Sequence, residues 1–366
     1  MTRSLPVRAF RIAFRLLLYV AVSAIVLNLF MLEWGFRSDN ARFSFDRIIT
    51  QTAHRPFAYR VLMPLTIRGV AAVLEAPTRP VRRALAPKIA HMKARYQLID
   101  AYEFEQLVAY FLLLAILVGV LFAWRSIGAT ALPGPPLLHD VAPLIAMLLL
   151  PLTFIQGGYL YDFPELLLSS AAILCLLRRW WLLYYVAFVL AALNKESNVL
   201  LIGAFAAAAW PLLSRTRLAV HLAIQAALAI AIVMGGRIIF AGNPGLEGEL
   251  HLFDNLRFFV SPIAYVNLFD IYAPLVLTPR GFNLVSLFVF GMLFAYRWRD
   301  KPLETRRILL ALVALIAPLY LALGYRDEIR VFYMAAGPLY VAGLHTVLTV
   351  YGVEPAPAGA PPAVAA

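Results

Sequence analysis

The sequence has one cysteine and few charged residues, and both shortages restrict the class of protein. Cys175 is the only cysteine among 366 residues, which excludes an intramolecular disulfide and a thiolate metal site. Charged residues make up 14% of the chain, hydrophobic residues 62%, and the mean hydropathy is +0.79. A soluble domain of this length could not bury so much apolar surface and keep a charged exterior. The composition therefore predicts an integral membrane protein in contact with the lipid bilayer.

Familiar ligand-binding motifs are missing as well. The chain has no Gly-rich phosphate loop and no dinucleotide fingerprint, which argues against direct nucleotide chemistry. The six histidines show no metal-ligand spacing, so we expect no protein-built metal site and no cofactor; a need for a divalent cation stays open. The net charge of +12 does not indicate nucleic acid, because the basic residues stand mainly at the ends of apolar runs.

Long apolar runs dominate what is present. The uncharged stretch Leu107–Ala123 approaches the roughly 20 residues that cross a bilayer. Lipid cannot hydrogen-bond the backbone, so such segments must be helical. The predicted fold is all-α, a polytopic transmembrane helical bundle of about ten spans that forms a single domain over residues 1–350. The predicted spans are 14–33, 105–124, 137–156, 163–177, 180–194, 197–213, 217–240, 281–296, 307–324 and 331–350.

The distribution of Lys and Arg predicts the orientation of these spans. Alternate gaps are rich in Arg, starting with the N-terminal segment that holds Arg3, Arg8, Arg11 and Arg15. Since basic loops stay in the cytoplasm, we expect both termini there, in a multi-pass protein of the cell's inner (plasma) membrane. The Ala/Pro-rich residues 351–366 are predicted to be a disordered cytoplasmic tail.

One apolar segment, Phe57–Ala76, is not predicted to be a span. Arg60 and Arg68 would lie inside it, and a central Arg costs about 2.5–3.5 kcal/mol on insertion scales. A span there would also invert every later segment and place Arg178 and Arg179 outside. We therefore predict that residues 34–104 form one long external loop with amphipathic helices in the membrane interface.

The external gaps combine acids, bases and aromatics, whereas the cytoplasmic gaps hold mostly Arg. This arrangement resembles the GT-C superfamily of glycosyltransferases, which take sugars from polyprenyl-phosphate donors at the external face. The likeness covers roughly residues 10–215. Its short motifs are an acid early in the loop followed by an aromatic and proline stretch, an acid that opens a span, and a Lys-Glu pair. Here they match Asp46 with 56–64, Asp162, and Lys195-Glu196.

The resemblance implies a polyprenyl-phosphate-linked sugar as donor, a glycan, lipid or protein acceptor, and a role for each candidate residue. Sugar transfer needs a carboxylate at the acceptor hydroxyl. Asp46 and Asp39 are both candidates, since Arg47 stands where the family commonly has a second acid. Cations must hold the leaving phosphate. The candidates for donor and substrate binding are Lys195, Arg326, Arg330, Arg237, Arg60, Asp162, Glu196, Glu328, Tyr59 and Tyr161.

Each candidate also has a purely structural alternative. Asp46 with Arg47 could form a surface pair, Asp162 could cap the helix that begins at Phe163, and Lys195-Glu196 could anchor a helix end at the interface. Arg237 could extend to the interface, and Glu328 could only neutralise Arg330.

The alternative function is a transporter or flippase of a lipid-linked or anionic substrate. Transporters tend to show internal repeats and charges near the bilayer midplane. Here no repeat is evident and the charges gather at one end, which favours the enzyme.

Overall fold

The computed structural model describes residues 5–36, 38, 40–96, 98–154, 157–246, 248–273 and 276–353. Within these ranges the chain is almost entirely helical. Short 3-10 turns occur at Phe57–Tyr59, Asp100–Tyr102, Leu150–Thr153, Glu196–Leu200, Trp298–Asp300 and Ile329–Ala335. The α-helices are α1 (Leu5–Glu33), α2 (Phe45–Ile49), α3 (Leu62–Ala84), α4 (Ala86–Tyr96), α5 (Glu103–Ala131), α6 (Pro136–Leu148), α7 (Asp162–Leu177), α8 (Trp181–Asn194), α9 (Leu201–Ala209), α10 (Arg215–Ile239), α11 (Leu252–Val260), α12 (Pro262–Val266), α13 (Leu284–Ala295), α14 (Leu303–Leu323) and α15 (Ala336–Val350).

Six helical segments in the described residues are long and apolar enough to cross a membrane, which fits a multi-pass membrane protein. They are Ala9–Glu33, Asp100–Ala131, Pro136–Thr153, Arg215–Ile239, Leu303–Leu323 and Ile329–Val350. The other four predicted spans also fall on helices, α7, α8, α9 and α13, but these are shorter, at 16, 14, 9 and 12 residues. The helical architecture is thus present, and six spans rather than ten meet the length requirement.

The core lies where α5, α7 and α15 meet. Its largest buried side chains include Phe30 of α1, Phe163 of α7 and Phe188 of α8. Small residues let α7 approach its neighbours, and their hydroxyls are satisfied locally: Ser169 Oγ donates to the Glu165 carbonyl at 2.6 Å, and Trp124 Nε1 donates to Ser170 Oγ at 3.1 Å. By contrast, α10 and α13 keep most apolar side chains exposed, as expected of surfaces that face lipid.

The segment predicted as a loop with amphipathic helices contains α2, α3 and α4. In α3, Met63, Pro64 and Ile67 are buried near its start, whereas most later side chains are exposed. α4 buries none of its residues. Neither helix is among the candidate spans of the described chain, because α3 carries too many charged residues and α4, with 11 residues, is too short.

The structure departs from the predicted all-α fold in one small element. This element is an antiparallel β-hairpin of β1 (Phe269–Ala273) and β2 (Val276–Pro279). Phe269 pairs with Pro279 and Ile271 with Leu277, and a bulge follows Ile271. The β-branched and aromatic residues of this stretch favour extended backbone, which the search for apolar helical runs does not register. The predicted tail lies largely outside the described residues, which end at 353.

Candidate functional site

Asp162, at the first turn of α7, lies against Arg330. Its Oδ2 is 3.4 Å from Arg330 Nη1, and the same oxygen accepts a hydrogen bond from the Tyr159 backbone N–H at 2.9 Å. The helix begins at Asp162 itself, so the carboxylate closes the preceding turn and does not cap the helix. Both charged side chains are buried, at 2% and 3% exposure. Two buried opposite charges this close offset each other's desolvation.

Lys195 follows the last residue of α8 and points towards two carboxylates of α7. Its Nζ donates to Glu165 Oε2 at 2.7 Å and lies 4.0 Å from Asp162 Oδ1. Glu165 is fully buried, whereas 13% of the Lys195 side chain is exposed. Asn194 fixes this junction, because its Nδ2 donates to the Tyr161 carbonyl at 2.8 Å. Lys195 is therefore the member of this group that solvent can reach.

Arg60, between the 3-10 turn Phe57–Tyr59 and α3, forms a two-pronged pair with Glu196. Arg60 Nη2 donates to Oε1 at 2.9 Å and Nε donates to Oε2 at 3.3 Å. The guanidinium also lies over the Tyr161 ring, 4.0 Å from its centroid. Burial opposes the charge on Arg60, but Glu196, Tyr161 and Asp162 together outweigh burial and raise the pKa of Arg60 above its ordinary value. Arg60 is thus a permanent cation.

Arg330 is held by Glu328 and by two features of residues 157–159. Its Nε donates to Glu328 Oε1 at 3.0 Å, and its guanidinium lies 4.4 Å from the Tyr159 ring centroid. Although burial opposes ionisation, Arg330 holds the pKa of Glu328 below its ordinary value. Gly157, at φ +150°, leaves room for the guanidinium, since a Cβ there would lie 2.7 Å from Nη1. A side chain at position 157 would displace this cation.

These contacts join into one group, here called the ion-pair cluster. It combines three cations with four carboxylates from segments as distant in the chain as residues 60 and 330. Several buried polar atoms in and beside it have no hydrogen-bond partner in the described residues: Tyr161 Oη, Asp162 Oδ1, Glu165 Oε1, Asn194 Oδ1 and Arg330 Nη1. Buried polar atoms usually have a partner, so these atoms are available to hydrogen-bond with a bound substrate or water. The members of the cluster are Arg60, Asp162, Glu165, Lys195, Glu196, Glu328 and Arg330.

Aromatic rings line the side of the cluster nearest the start of the long loop. Tyr159 stacks on Tyr161 with centroids 5.2 Å apart and an interplanar angle of 17°. Phe43 and Phe57 both pack on Tyr159, at 5.1 and 5.6 Å. Such flat surfaces suit the faces of sugar rings as well as the guanidinium groups already on them.

Asp46 lies three residues after Phe43, in the first turn of α2. Its side chain is half-buried, and within the described chain its carboxylate has neither an ion pair nor a hydrogen bond. The surface pair with Arg47 suggested by the sequence is thus not formed among the described contacts. The second candidate base, Asp39, lies outside the described residues. Asp46 therefore has an uncommitted carboxylate, which a general base needs.

Three other sequence candidates do not join the ion-pair cluster. Arg326 is exposed, with its guanidinium 4.8 Å from the Tyr325 ring centroid. Arg237 is exposed in the last turn of α10. Tyr59 packs towards Phe240, with centroids 6.4 Å apart. The other seven binding candidates are members of the cluster or, in the case of Tyr161, lie against it.

Sequence reasoning counted Glu165 and Asn194 among the external polar residues expected to converge, but gave neither a binding role, and it gave Gly157 none. Glu165 lies three residues after Asp162, and this spacing puts both carboxylates on one helix face. That spacing was the available signal. The contribution of Gly157 depends on a distant arginine, so no local pattern predicts it.

No metal centre emerges in the parts of the chain that the structure describes, where no three His, Cys, Asp or Glu side chains could together hold an ion. Comparison with protein-family models, curated proteins and solved structures finds no match to this chain.

Proposed function

We propose that this protein is an integral membrane glycosyltransferase of the GT-C type. It transfers a sugar from a polyprenyl-phosphate donor to a glycan, lipid or protein acceptor of the cell envelope. The observation that carries the proposal is the ion-pair cluster, in which Arg60, Asp162, Lys195, Glu196, Glu328 and Arg330 converge from four separate segments. These are residues that the chemistry of lipid-phosphate sugar transfer requires.

In the proposed reaction, Asp46 takes the proton of the acceptor hydroxyl as that oxygen attacks the anomeric carbon. The bond between the anomeric carbon and the phosphate oxygen breaks, and polyprenyl phosphate leaves with an added negative charge. Lys195 stabilises this charge, because its ammonium is the partly exposed cation of the cluster. Asp39 is the alternative base.

The charge balance of the cluster dictates how the phosphate binds. Four carboxylates outnumber three cations, so the phosphate must replace Glu165 as the partner of Lys195. Arg330 contributes Nη1, which has no hydrogen-bond partner within the described residues. Arg237 and Arg326 add two exposed cations on neighbouring segments. We expect the buried Arg60 and Arg330 to hold the site in shape and Lys195 to move.

The depth of the cluster suits a substrate that arrives within the bilayer. α8 has 14 residues and is about 21 Å long, whereas the hydrocarbon core is about 30 Å thick. If the Arg178 end of α7 and α8 lies at one boundary, the other ends of α7 and α8 stop about 6 and 9 Å short of the opposite one. A lipid-linked phosphate enters such a recess from the side, and an aqueous acceptor from above. The basic residues at the other helix ends favour the external face for this recess.

The test is lipid-linked sugar transfer by purified, reconstituted variants. We expect Asp46→Asn or Asp39→Asn to lower the turnover about 100-fold or more, whichever residue is the base, and Lys195→Ala to lower it similarly. Asp254→Asn and Lys88→Ala are matched controls on exposed helix surfaces and should retain activity. Wild-type rates in all three test variants, with unfolding temperatures unchanged, would refute the proposed site.

One observation favours the alternative of a transporter or flippase. Glu165 and Arg330 are fully buried ionisable groups within helices, as in the ion relays of transporters. Proteoliposomes distinguish the two functions: a flippase moves lipid-linked sugar across the bilayer without an acceptor, whereas a glycosyltransferase consumes it only when an acceptor is present.

A further inference from the structure

A second charged group lies at the opposite end of α1 from the ion-pair cluster. Three arginines surround one carboxylate there: Asp140 Oδ2 accepts from Arg11 Nη2 at 2.9 Å, and Oδ1 accepts from Arg125 Nε at 2.7 Å. Arg15 Nη1 lies 3.2 Å from the same Oδ1. We call these four residues the arginine pocket. It joins the start of α1, the last turns of α5 and the start of α6.

The arginine pocket has a net charge of about +2, because its three arginines share the single carboxylate of Asp140. Each guanidinium has five N–H donors, and Asp140 engages only one nitrogen of each. Tyr19 adds no negative charge, since its hydroxyl donates to the Asp140 carbonyl at 3.2 Å. Side-chain exposures of 36%, 16% and 28% leave the three arginines partly open to a ligand. The unused donors and the excess charge suit an anion with several oxygen acceptors.

The walls of the pocket are apolar. A cavity of about 370 Å³ lies between α1 and α6, with Arg11, Arg15 and Asp140 among its lining residues. This is room for about a dozen water-sized groups, close to the size of one glycerophosphate headgroup. Phe14, Leu18, Leu137 and Val141 also line this cavity and are themselves exposed on the outer surface of the bundle. The excess positive charge is therefore flanked by apolar surface of the kind that contacts lipid chains.

The distance from the proposed active site excludes a shared ligand phosphate. Arg15 and Glu33 are 18 residues apart in one continuous helix, about 27 Å along its axis. Trp34, directly after α1, packs near Gly158 beside the ion-pair cluster. The two charged groups thus lie at opposite membrane boundaries.

We propose that the arginine pocket binds an anionic glycerophospholipid, with its phosphate on Arg11 and Arg15 and its acyl chains along Phe14, Leu18 and Leu137. Basic pockets between transmembrane helices bind anionic headgroups in this way. The excess charge favours phosphatidylglycerol-type over zwitterionic lipids, and the apolar walls favour a lipid over a free phosphate. This site does not depend on the proposed function.

The experiment is native mass spectrometry of the full chain in mild detergent, titrated with phosphatidylglycerol or phosphatidylcholine. We expect one preferred phosphatidylglycerol adduct in the wild type and about tenfold weaker binding in Arg11→Gln/Arg15→Gln, because this variant loses two positive charges and their charge-assisted hydrogen bonds to the phosphate. Arg215→Gln/Arg217→Gln is the matched control at another basic helix start and should bind as the wild type does. Equal weakening in both double variants would reduce the site to general surface charge and overturn it.

Two further measurements distinguish loss of the lipid site from a general loss of folding or a site for free anions. Asp140→Asn removes the competing carboxylate, so a lipid site predicts tighter phosphatidylglycerol binding, whereas a purely structural pair predicts unchanged or weaker binding. Inorganic phosphate and glycerol 3-phosphate are titrated in parallel. If either displaces phosphatidylglycerol at the concentration at which the lipid itself binds, the pocket is a free-anion site and the lipid assignment falls.

Discussion

The two ends of the helical bundle differ in how their buried and half-buried cations are paired with carboxylates. In the ion-pair cluster, each of three cations contacts at least one carboxylate, and four carboxylates are present. At the other end, three arginines share Asp140, and Lys301 is buried without any ion pair in the described chain. Lys301 instead donates to the Ala342 carbonyl at 2.7 Å and to Thr346 Oγ1 at 2.6 Å.

Membrane topology explains the charges at one end of the bundle but not those at the other. The tendency of basic residues to stay in the cytoplasm explains an excess of Arg at one end without any carboxylate. It does not explain why carboxylates from α7, the Lys195-Glu196 turn and the Tyr325–Arg330 loop gather at the other end. Buried ion pairs add little net stability because desolvation offsets their attraction. The carboxylates of the ion-pair cluster therefore point to a functional requirement.

The largest effect should come from Arg330→Met, which tests how much the buried ion pairs of Arg330 contribute to the stability of the folded protein. This change removes the nearer cation of the buried Asp162 and the ion-pair partner of Glu328, and breaking a buried pair costs about 3–5 kcal/mol. Thermal unfolding in nanodiscs measures the loss, with Arg326→Met as the exposed control at about 0.5 kcal/mol or less. Equal small effects in both variants would contradict the buried pairing.

Gly157→Ala sharpens the comparison because it disturbs Arg330 without removing any charge. The new Cβ would lie 2.7 Å from Nη1, and φ +150° is unfavourable for alanine. We expect a loss of about 1–3 kcal/mol in unfolding free energy. Gly235→Ala is the control, since α10 leaves open space there and alanine favours a helix by about 1 kcal/mol. A stabilised Gly157→Ala protein would contradict the packing on Arg330.

Much of the fold was predictable because its signals are local in the sequence. All ten predicted apolar segments coincide with helices, and residues assigned to the same side, such as Asp162 and Lys195, meet in space. Such meetings are expected when consecutive helices run in opposite directions, because the start of one helix then lies beside the end of the next. Six of the segments are also long enough to span a membrane. The short β-hairpin was missed because it lies in a loop where hydropathy carries no signal.

The details of the candidate site were only partly predictable. Sequence reasoning treated Arg326 and Arg330 as equivalent, but the left-handed backbone at Arg326 (φ +44°) and the 3-10 turn from Ile329 bury only the second. Glu165 was counted among the external acids but was not a binding candidate, although it pairs with Lys195. Both outcomes depend on contacts between distant segments, which a single sequence does not encode locally.

Lys301 provides a pH-dependent test of the opposite end. Burial lowers its pKa from 10.5 to about 8, with a partial offset from Asp300. Between about pH 8 and 10 the unfolded chain binds more protons than the folded one, so stability rises with pH over this interval. We expect the wild type to gain about 1–2 kcal/mol relative to Lys301→Met between pH 7.5 and 9.5, measured by thermal unfolding. If the difference in stability between the two proteins is constant across this range, the pKa of Lys301 is not lowered in the folded protein.

The smallest effect should follow Tyr161→Phe at the ion-pair cluster. The Arg60 guanidinium lies 4.0 Å from the Tyr161 ring centroid, and phenylalanine keeps that ring face. The hydroxyl is buried and has no hydrogen-bond partner in the described residues, so its removal should change unfolding free energy by less than about 0.5 kcal/mol. Tyr184→Phe is the matched control, because the buried Tyr184 hydroxyl donates a hydrogen bond to the Leu201 carbonyl at 2.9 Å. That variant should lose about 1–3 kcal/mol. If the two variants lose the same stability, the Tyr161 hydroxyl has a structural partner.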